Sequence, residues 1–183
     1  MAGDMMMVAM NRFGDSLGHH VAGPDGEAVF GMLGVWVNQC LSRGTVRLAS
    51  TDPLDQPVIE ENMLSDPSDR RRMRDGWRRL MALSRRGAVG AIGEVVGDLP
   101  AEDDDAAIDA YALANAGDTQ HGTSSCPMGA PDDPATVVDS DCRVLGLKGL
   151  RVIDASIMPS VPRANTHLST VMIAEHMAAR ITA

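Results

Sequence analysis

Aromatic side chains are scarce in this chain: two Trp, one Tyr and two Phe among 183 residues. That leaves little material for the aromatic lining common in small-molecule pockets. Cysteine is also sparse. Cys40, Cys126 and Cys142 make an odd number with no C-x-x-C pair, which argues against a disulfide framework and against a zinc knuckle and fits reduced thiols in a cytoplasm. No apolar run approaches the roughly 18 residues that span a bilayer, and the start lacks a charged segment followed by an apolar core and a cleavage site. The expectation is a soluble, unexported, cytoplasmic protein without a membrane span. A net charge of −9 argues against nucleic acid and anionic membrane surfaces as partners. A G-x-G-x-x-G turn between a strand and a helix, the usual start of a dinucleotide-binding domain, is missing too. The nearest run, Gly87, Gly90, Gly93 and Gly97, follows an arginine-rich helical stretch and reads as a flexible loop.

What is present is apolar content of 44%, enough for a sizeable core in one domain or one and a half. Residues 1–34 are rich in methionine and glycine, and the stretch holding Met5, Met6, Met7 and Met10 allows a strand. A strand-like run ends at Val37. Leu41-Ser42-Arg43-Gly44 reads as a turn, Thr45 to Leu48 as a half-buried strand, Thr51-Asp52-Pro53 as a second turn and Pro57-Val58-Ile59 as a short strand. Ser65-Asp66-Pro67-Ser68-Asp69 supplies a capping side chain, a first-turn proline and a carboxylate at the positive end of a helix dipole. The helix that follows places Met73, Trp77, Leu80 and Met81 on one face, and its eight arginines, from Arg70 to Arg86, read as a solvated face or a subunit contact. Gly87 ends it. A second helix begins near the acidic run Glu102 to Asp105, carries Ile108, Tyr111 and Ala112 on its apolar side and stops at Gly117. Beyond Pro131 and Pro134 the pattern predicts strands at Thr136 to Val138 and at Leu150 to Ile153, then a final helix from Thr166 or Leu168 to Ile181.

Three segments in the last third carry the chemistry: H-G-T-S-S-C-P-M-G from His121, G-L-R-V-I-D-A-S-I-M-P from Gly149, and P-R-A-N-T-H from Pro162 at the entry of the final helix. Upstream stand S-R-G-T-V-R-L from Ser42, then Asp52-Pro53, Pro57-Val58-Ile59 and Asn62. In this order the pieces closely resemble the glucose–methanol–choline (GMC) family of flavin-dependent alcohol oxidoreductases, over about residues 35 to 183. One departure is visible. Ser124 and Ser125 stand where the family usually has glycine and threonine in H-x-x-G-T-x-x-M-G. The P-R-A-N-T-H ending also resembles members associated with the mycofactocin redox system.

The resemblance implies hydride transfer from an alcohol CH–OH carbon to FAD. A base must take the hydroxyl proton, a task that suits histidine because its ordinary pKa lies near neutrality, and the matching residue is His121. The family's second partner falls at Asn165, whose carboxamide can donate to a developing alkoxide and accept from the hydroxyl. Read without the family, His121 is a buried histidine pinning a loop, and Asn165 is a helix cap. Backbone amides at Asn165, Thr166 and His167, at the positive end of the last helix, would favour a flavin that gains negative charge on reduction. Asp154 and Ala155 would approach the ribityl and pyrophosphate portion through their backbone. The implied fold is α+β: residues 1–135 as part of a substrate-binding domain with an antiparallel sheet and flanking helices, and residues 136–183 as a strand and helix completing a Rossmann-like FAD-binding domain.

On this reading a complete enzyme needs a partner polypeptide carrying the Rossmann half, or else the chain is a fragment. The competing expectations are a non-catalytic subunit or interaction module, and a small-ligand binder using the cleft beside the last helix. Metal is not expected, because His19-His20, His121 with Cys126, and His167 with His176 each lack a full ligand set. A serine hydrolase is not expected either, since no G-x-S-x-G elbow accompanies Ser124 and Ser125.

Overall fold

The computed structural model describes residues 3–10 and 31–182, so His19 and His20 lie outside the described residues. By its contacts the chain divides into two units: Met1–Val37 with Leu64–Ala116, and Asn38–Met63 with Gly117–Ala183. Both mix short antiparallel or irregular segments with helices, which agrees with the expected α+β class.

In the first unit β1 (Met5–Met10) pairs antiparallel with β2 (Met32–Val37), from Met5 opposite Val37 to Met10 opposite Met32. Helix α1 (Pro67–Ser84) packs on this ribbon. Gly76 allows a close approach, since a Cβ there would stand 2.7 Å from both the Met5 and Val35 side chains. The start of α1 is as its sequence demands. The Asp66 carboxylate accepts the Ser68 amide at 2.6 Å, Pro67 occupies the first turn, and Trp77 and Leu80 are buried on the predicted face. The expected glycine loop instead contains one helical turn, α2 (Gly87–Gly90), closed by Val89 and Gly90 amides on the Arg86 carbonyl. Helix α3 (Asp105–Asn115) is capped by Asp104, buries Ile108 to 1% exposure and brings Tyr111 to 5.1 Å from Trp77 between ring centroids.

The arginine face of α1 is solvated only in part: Arg79 and Arg85 stay exposed, while several of its arginines also pair with acidic residues of the same chain. Arg74 grips Asp109 with two parallel hydrogen bonds of 2.7 Å, and Arg74 and Arg78 both pair with Asp105. Arg85 pairs with Glu102, and Arg78 Nε donates to the Glu102 carbonyl at 2.7 Å. The basic helix is thus laced to the acidic one within the same chain. Asp69 is buried and paired with Arg72, so its carboxylate serves the interior as well as the helix dipole.

In the second unit β3 (Thr45–Arg47) pairs antiparallel with β4 (Val58–Glu60). Gly44 allows the turn: a Cβ there would fall 2.1 Å from the Glu60 carbonyl oxygen. These strands are exposed rather than half-buried, with Val46 and Ile59 opposite each other and both well over half accessible, because among the described residues neither face of the ribbon is covered. The strands expected at Thr136–Val138 and Leu150–Ile153 are not formed as ladders. Val138 bridges Met128 and Val144, and Arg151 bridges Arg143, each as a single pair. The chain reverses between Val144 and Leu150, whose amide and carbonyl close the turn at 3.0 Å, so its short arms find only isolated partners. The last helix, α4 (His167–Thr182), starts between the two expected residues.

The core of this unit is Val138, Cys142, Ile157 and Met177, with Met128, Val137, Val144, Val152, Ile153 and Ile173 packed around them. Burial, helped by Asp139 and Asp141, pushes the Cys142 thiol above its ordinary range, so it acts as a small apolar group. Arg180, in the last turn of α4, pairs with Asp141.

Candidate active site

His121 sits half-buried in the loop that leaves α3, with residues in the left-handed backbone region on either side: Gln120 at φ 58° and Ser124 at φ 64°. Ser124 is one of the two departures from the family pattern. The position that usually holds glycine has the backbone conformation that glycine adopts without strain. The serine keeps the glycine path.

Downstream of Ser124 the loop runs beside the segment after Asp154 and is stitched to it by backbone bonds. The Ser124 amide donates to the Ala155 carbonyl at 3.4 Å, Cys126 to Ser156 at 2.9 Å and Met128 to Ile157 at 2.8 Å. Ala155–Ile157 form a single 3₁₀ turn. The Asp154 side chain caps this turn by accepting from both the amide and the hydroxyl of Ser156, so its carboxylate is held locally while its backbone stays extended. At the other end of the loop Gly129 lies so close to Thr136 that a Cβ would stand 2.3 Å from the threonine hydroxyl.

Asn165 is exposed and lies two residues before His167, where α4 starts. Thr166 between them holds the cap position, since its carbonyl accepts both the amide and the hydroxyl of Thr170 at 2.9 Å. This corrects the reading of Asn165 as the cap. Its carboxamide makes no hydrogen bond among the described residues. The loop that carries it is anchored upstream: Asn38 Nδ2 donates to the Arg163 carbonyl at 3.1 Å, and Arg163 Nε donates to Gln39 Oε1 at 2.8 Å. His167 and Leu168 leave the mouth of α4 open to solvent. The first amides of any helix lack intrahelical acceptors and carry positive partial charge.

Three site-bearing segments therefore converge on one core. Met128 ends the His121 loop, Ile153 and Ile157 flank Asp154 and Ala155, and Ile173 and Met177 lie on the helix that follows Asn165 and Thr166; all five belong to or pack against the cluster of Val138, Cys142, Ile157 and Met177. No hydrogen bond links His121 directly to Asn165 among the described residues. The sequence reading missed three contributors: Thr119, whose hydroxyl is 3.0 Å from His121 Nδ1, and the Asn38–Gln39 pair that holds the Arg163 loop. Two adjacent amides just after a strand are the only sequence signal for the latter, and Thr119 gave none. Among the described residues no cluster of metal-ligating side chains occurs, and no helix is long and apolar enough to cross a membrane.

Comparison with known proteins shows the family of the chain. The family model described as GMC oxidoreductase matches residues 41–174. The chain is 40% identical over 158 residues to 5-(hydroxymethyl)furfural oxidase of Methylovorus sp. (strain MP688), covering 78% of this chain and 29% of that protein. It is 38% identical over 159 residues to oxygen-dependent choline dehydrogenase of Vibrio vulnificus (strain YJ016), covering 84% and 28%. Among solved structures it superposes on pyridoxine 4-oxidase from Mesorbium loti with a TM-score of 0.75 at 27% identity, over 86% of this chain and 30% of that one. A fungal aryl-alcohol oxidase gives 0.68 at 31% identity, over 81% and 24%. The chain thus spans less than a third of the length of these relatives, and it belongs to the GMC oxidoreductase family.

Proposed function

We propose that this chain supplies the alcohol-facing part of an FAD-dependent oxidoreductase acting on CH–OH groups. His121 is its proton acceptor and Asn165 its hydroxyl partner. The observation that carries the reading is the shared core. The His121 loop, the Asp154–Ala155 turn and the helix after Asn165 are fixed to one another through Val138, Ile157 and Met177 and through the Ser124–Ala155, Cys126–Ser156 and Met128–Ile157 bonds. Catalytic groups need such rigid support, because small misplacements cost rate steeply.

GMC oxidoreductases are FAD-dependent. The residues present fit such a group in two respects. The mouth of α4 at Thr166 and His167 offers helix N-terminal amides to an electron-rich ring edge, and the extended Asp154 backbone leads into the 3₁₀ turn that starts at Ala155, with the Asp154 side chain already satisfied. When bound, the flavin supplies the hydride acceptor. His121 takes the proton from the substrate hydroxyl. The Asn165 carboxamide, with two donors and an acceptor and no ordinary titration, holds the same oxygen as its charge grows. In this reading residues 1–135 belong to the substrate-binding part, residues 136–183 complete the flavin-binding part, and a polypeptide carrying the dinucleotide-binding half provides the rest.

Native mass spectrometry of the assembly purified on this chain tests the proposal. The expected result is a complex that releases FAD on denaturation and contains a polypeptide with a G-x-G-x-x-G segment. A stable assembly free of flavin contradicts it and favours an interaction module that keeps the family shape.

A further inference from the structure

Asn165 and its neighbour Ala164 are exposed and lie in neither helix nor strand. The Asn165 carboxamide has no hydrogen bond among the described residues, so its direction is set by the backbone that carries it. That backbone is gripped on both sides. Downstream, the Thr166 carbonyl accepts the amide and the hydroxyl of Thr170, each at 2.9 Å, and is thereby tied to α4. Upstream, two adjacent side chains close on Arg163. Asn38 Nδ2 donates to its carbonyl at 3.1 Å, and Gln39 Oε1 accepts its Nε–H at 2.8 Å, across 125 and 124 positions of sequence. Donor and acceptor are unambiguous in both bonds, because a carbonyl only accepts and a guanidinium only donates. One bond holds the main chain of Arg163 and the other its side chain. Only Ala164 and Asn165 separate the two grips, and two residues leave the chain little slack.

We infer that Asn38 and Gln39 are positioning residues that fix Asn165 through Arg163 and so set where its carboxamide meets a substrate hydroxyl. The inference deepens the reading of Asn165 as the hydroxyl partner and rests on it. Both side chains act through Arg163 and not on the substrate. Their effect on rate follows from geometry, since misplacing a substrate-holding group by about 1 Å costs about 10²-fold.

The test has two arms. In the first, nitrogen-15 relaxation of the full chain reads the fast motion of the Ala164 and Asn165 amides. Wild type is expected near an order parameter of about 0.85, that of rigid backbone. Asn38→Leu combined with Gln39→Met, which removes the donor and the acceptor at similar size, is expected to bring both amides below about 0.6. Gln39→Glu keeps an acceptor for Arg163 Nε and is expected to leave the loop as rigid as in wild type. Unchanged Val138 and Cys142 amides distinguish a loosened loop from a misfolded chain. Wild-type values below about 0.6 overturn the inference whether or not the variant folds, as do unchanged values in the folded double variant.

The second arm is flavin reduction by alcohol in the assembled, FAD-loaded complex. The double substitution is expected to slow it about 10-fold, and to have no further effect in an Asn165→Ala background, where there is no carboxamide left to misplace. Equal losses in the two backgrounds overturn the inference. Failure of the underlying reading looks different: Asn165→Ala alone reduces flavin at the wild-type rate. That outcome overturns the hydroxyl-partner role, and the relaxation arm then decides the hold on Asn165 by itself.

Discussion

The Cys126 amide donates to the Ser156 carbonyl at 2.9 Å, so the loop bearing His121 and the turn after Asp154 form one backbone unit.

Ser124 holds a left-handed backbone at φ 64°, and its amide bonds the Ala155 carbonyl. Glycine adopts that conformation without the Cβ clash, an advantage of about 1–2 kcal/mol that its greater unfolded-state freedom partly offsets. Ser124→Gly is therefore expected to stabilise the chain by roughly 0.5–1 kcal/mol in denaturant unfolding, whereas Ser124→Ala gains nothing. A loss of stability in the glycine variant contradicts the assigned backbone path.

Gly44 faces backbone, not a yielding side chain: its missing Cβ would meet the Glu60 oxygen at 2.1 Å and the Glu61 oxygen at 2.8 Å. Gly44→Ala is expected to separate β3 from β4 and lower stability by about 1–3 kcal/mol, the usual range for overpacking. Amide hydrogen exchange at Thr45 to Arg47 measures it directly. Protection equal to wild type at these residues shows that the ribbon absorbs the methyl group.

Hydrogen bonding from Arg78, opposed by partial desolvation and joined by Arg74, holds the Asp105 carboxyl below its usual range, and Arg85 does the same for Glu102. Depressed folded-state values mean that this stabilisation is present above the ordinary carboxylate range, about pH 4, and is lost as pH falls through the lowered values. Acid is thus expected to loosen α3 from α1, seen as a change in Trp77 fluorescence as Tyr111 moves away. Asp105→Asn is expected to weaken the contact at neutral pH and to flatten its acid dependence. Identical acid profiles for the two proteins contradict the ion-pair account.

The sequence revealed the parts of this fold that local chemistry dictates. Asp66-Pro67-Ser68 specified the start of α1, and the Met73, Trp77, Leu80 and Met81 spacing specified its buried face. The family pattern in the sequence singled out His121, Asn165 and the segments around them as candidates. The partners of Arg74, Arg78 and Arg85 were not legible, because acidic residues 17 to 35 positions away become neighbours only when the two helices pack. Leu150 to Ile153 is apolar enough for a buried strand, but a strand also needs a partner of equal length, and the turn at Gly146 to Gly149 leaves none nearby. Thr119 escaped notice because its contact depends on a left-handed Gln120, a conformation that glutamine does not advertise as glycine does.

The most direct measurement is single-turnover reduction of the flavin by alcohol in the assembled, FAD-loaded complex, comparing wild type with His121→Ala. The proposed role predicts a fall of about 10²–10⁴-fold in the rate, the usual contribution of a general base, with flavin content unchanged. Equal rates in the two proteins contradict it.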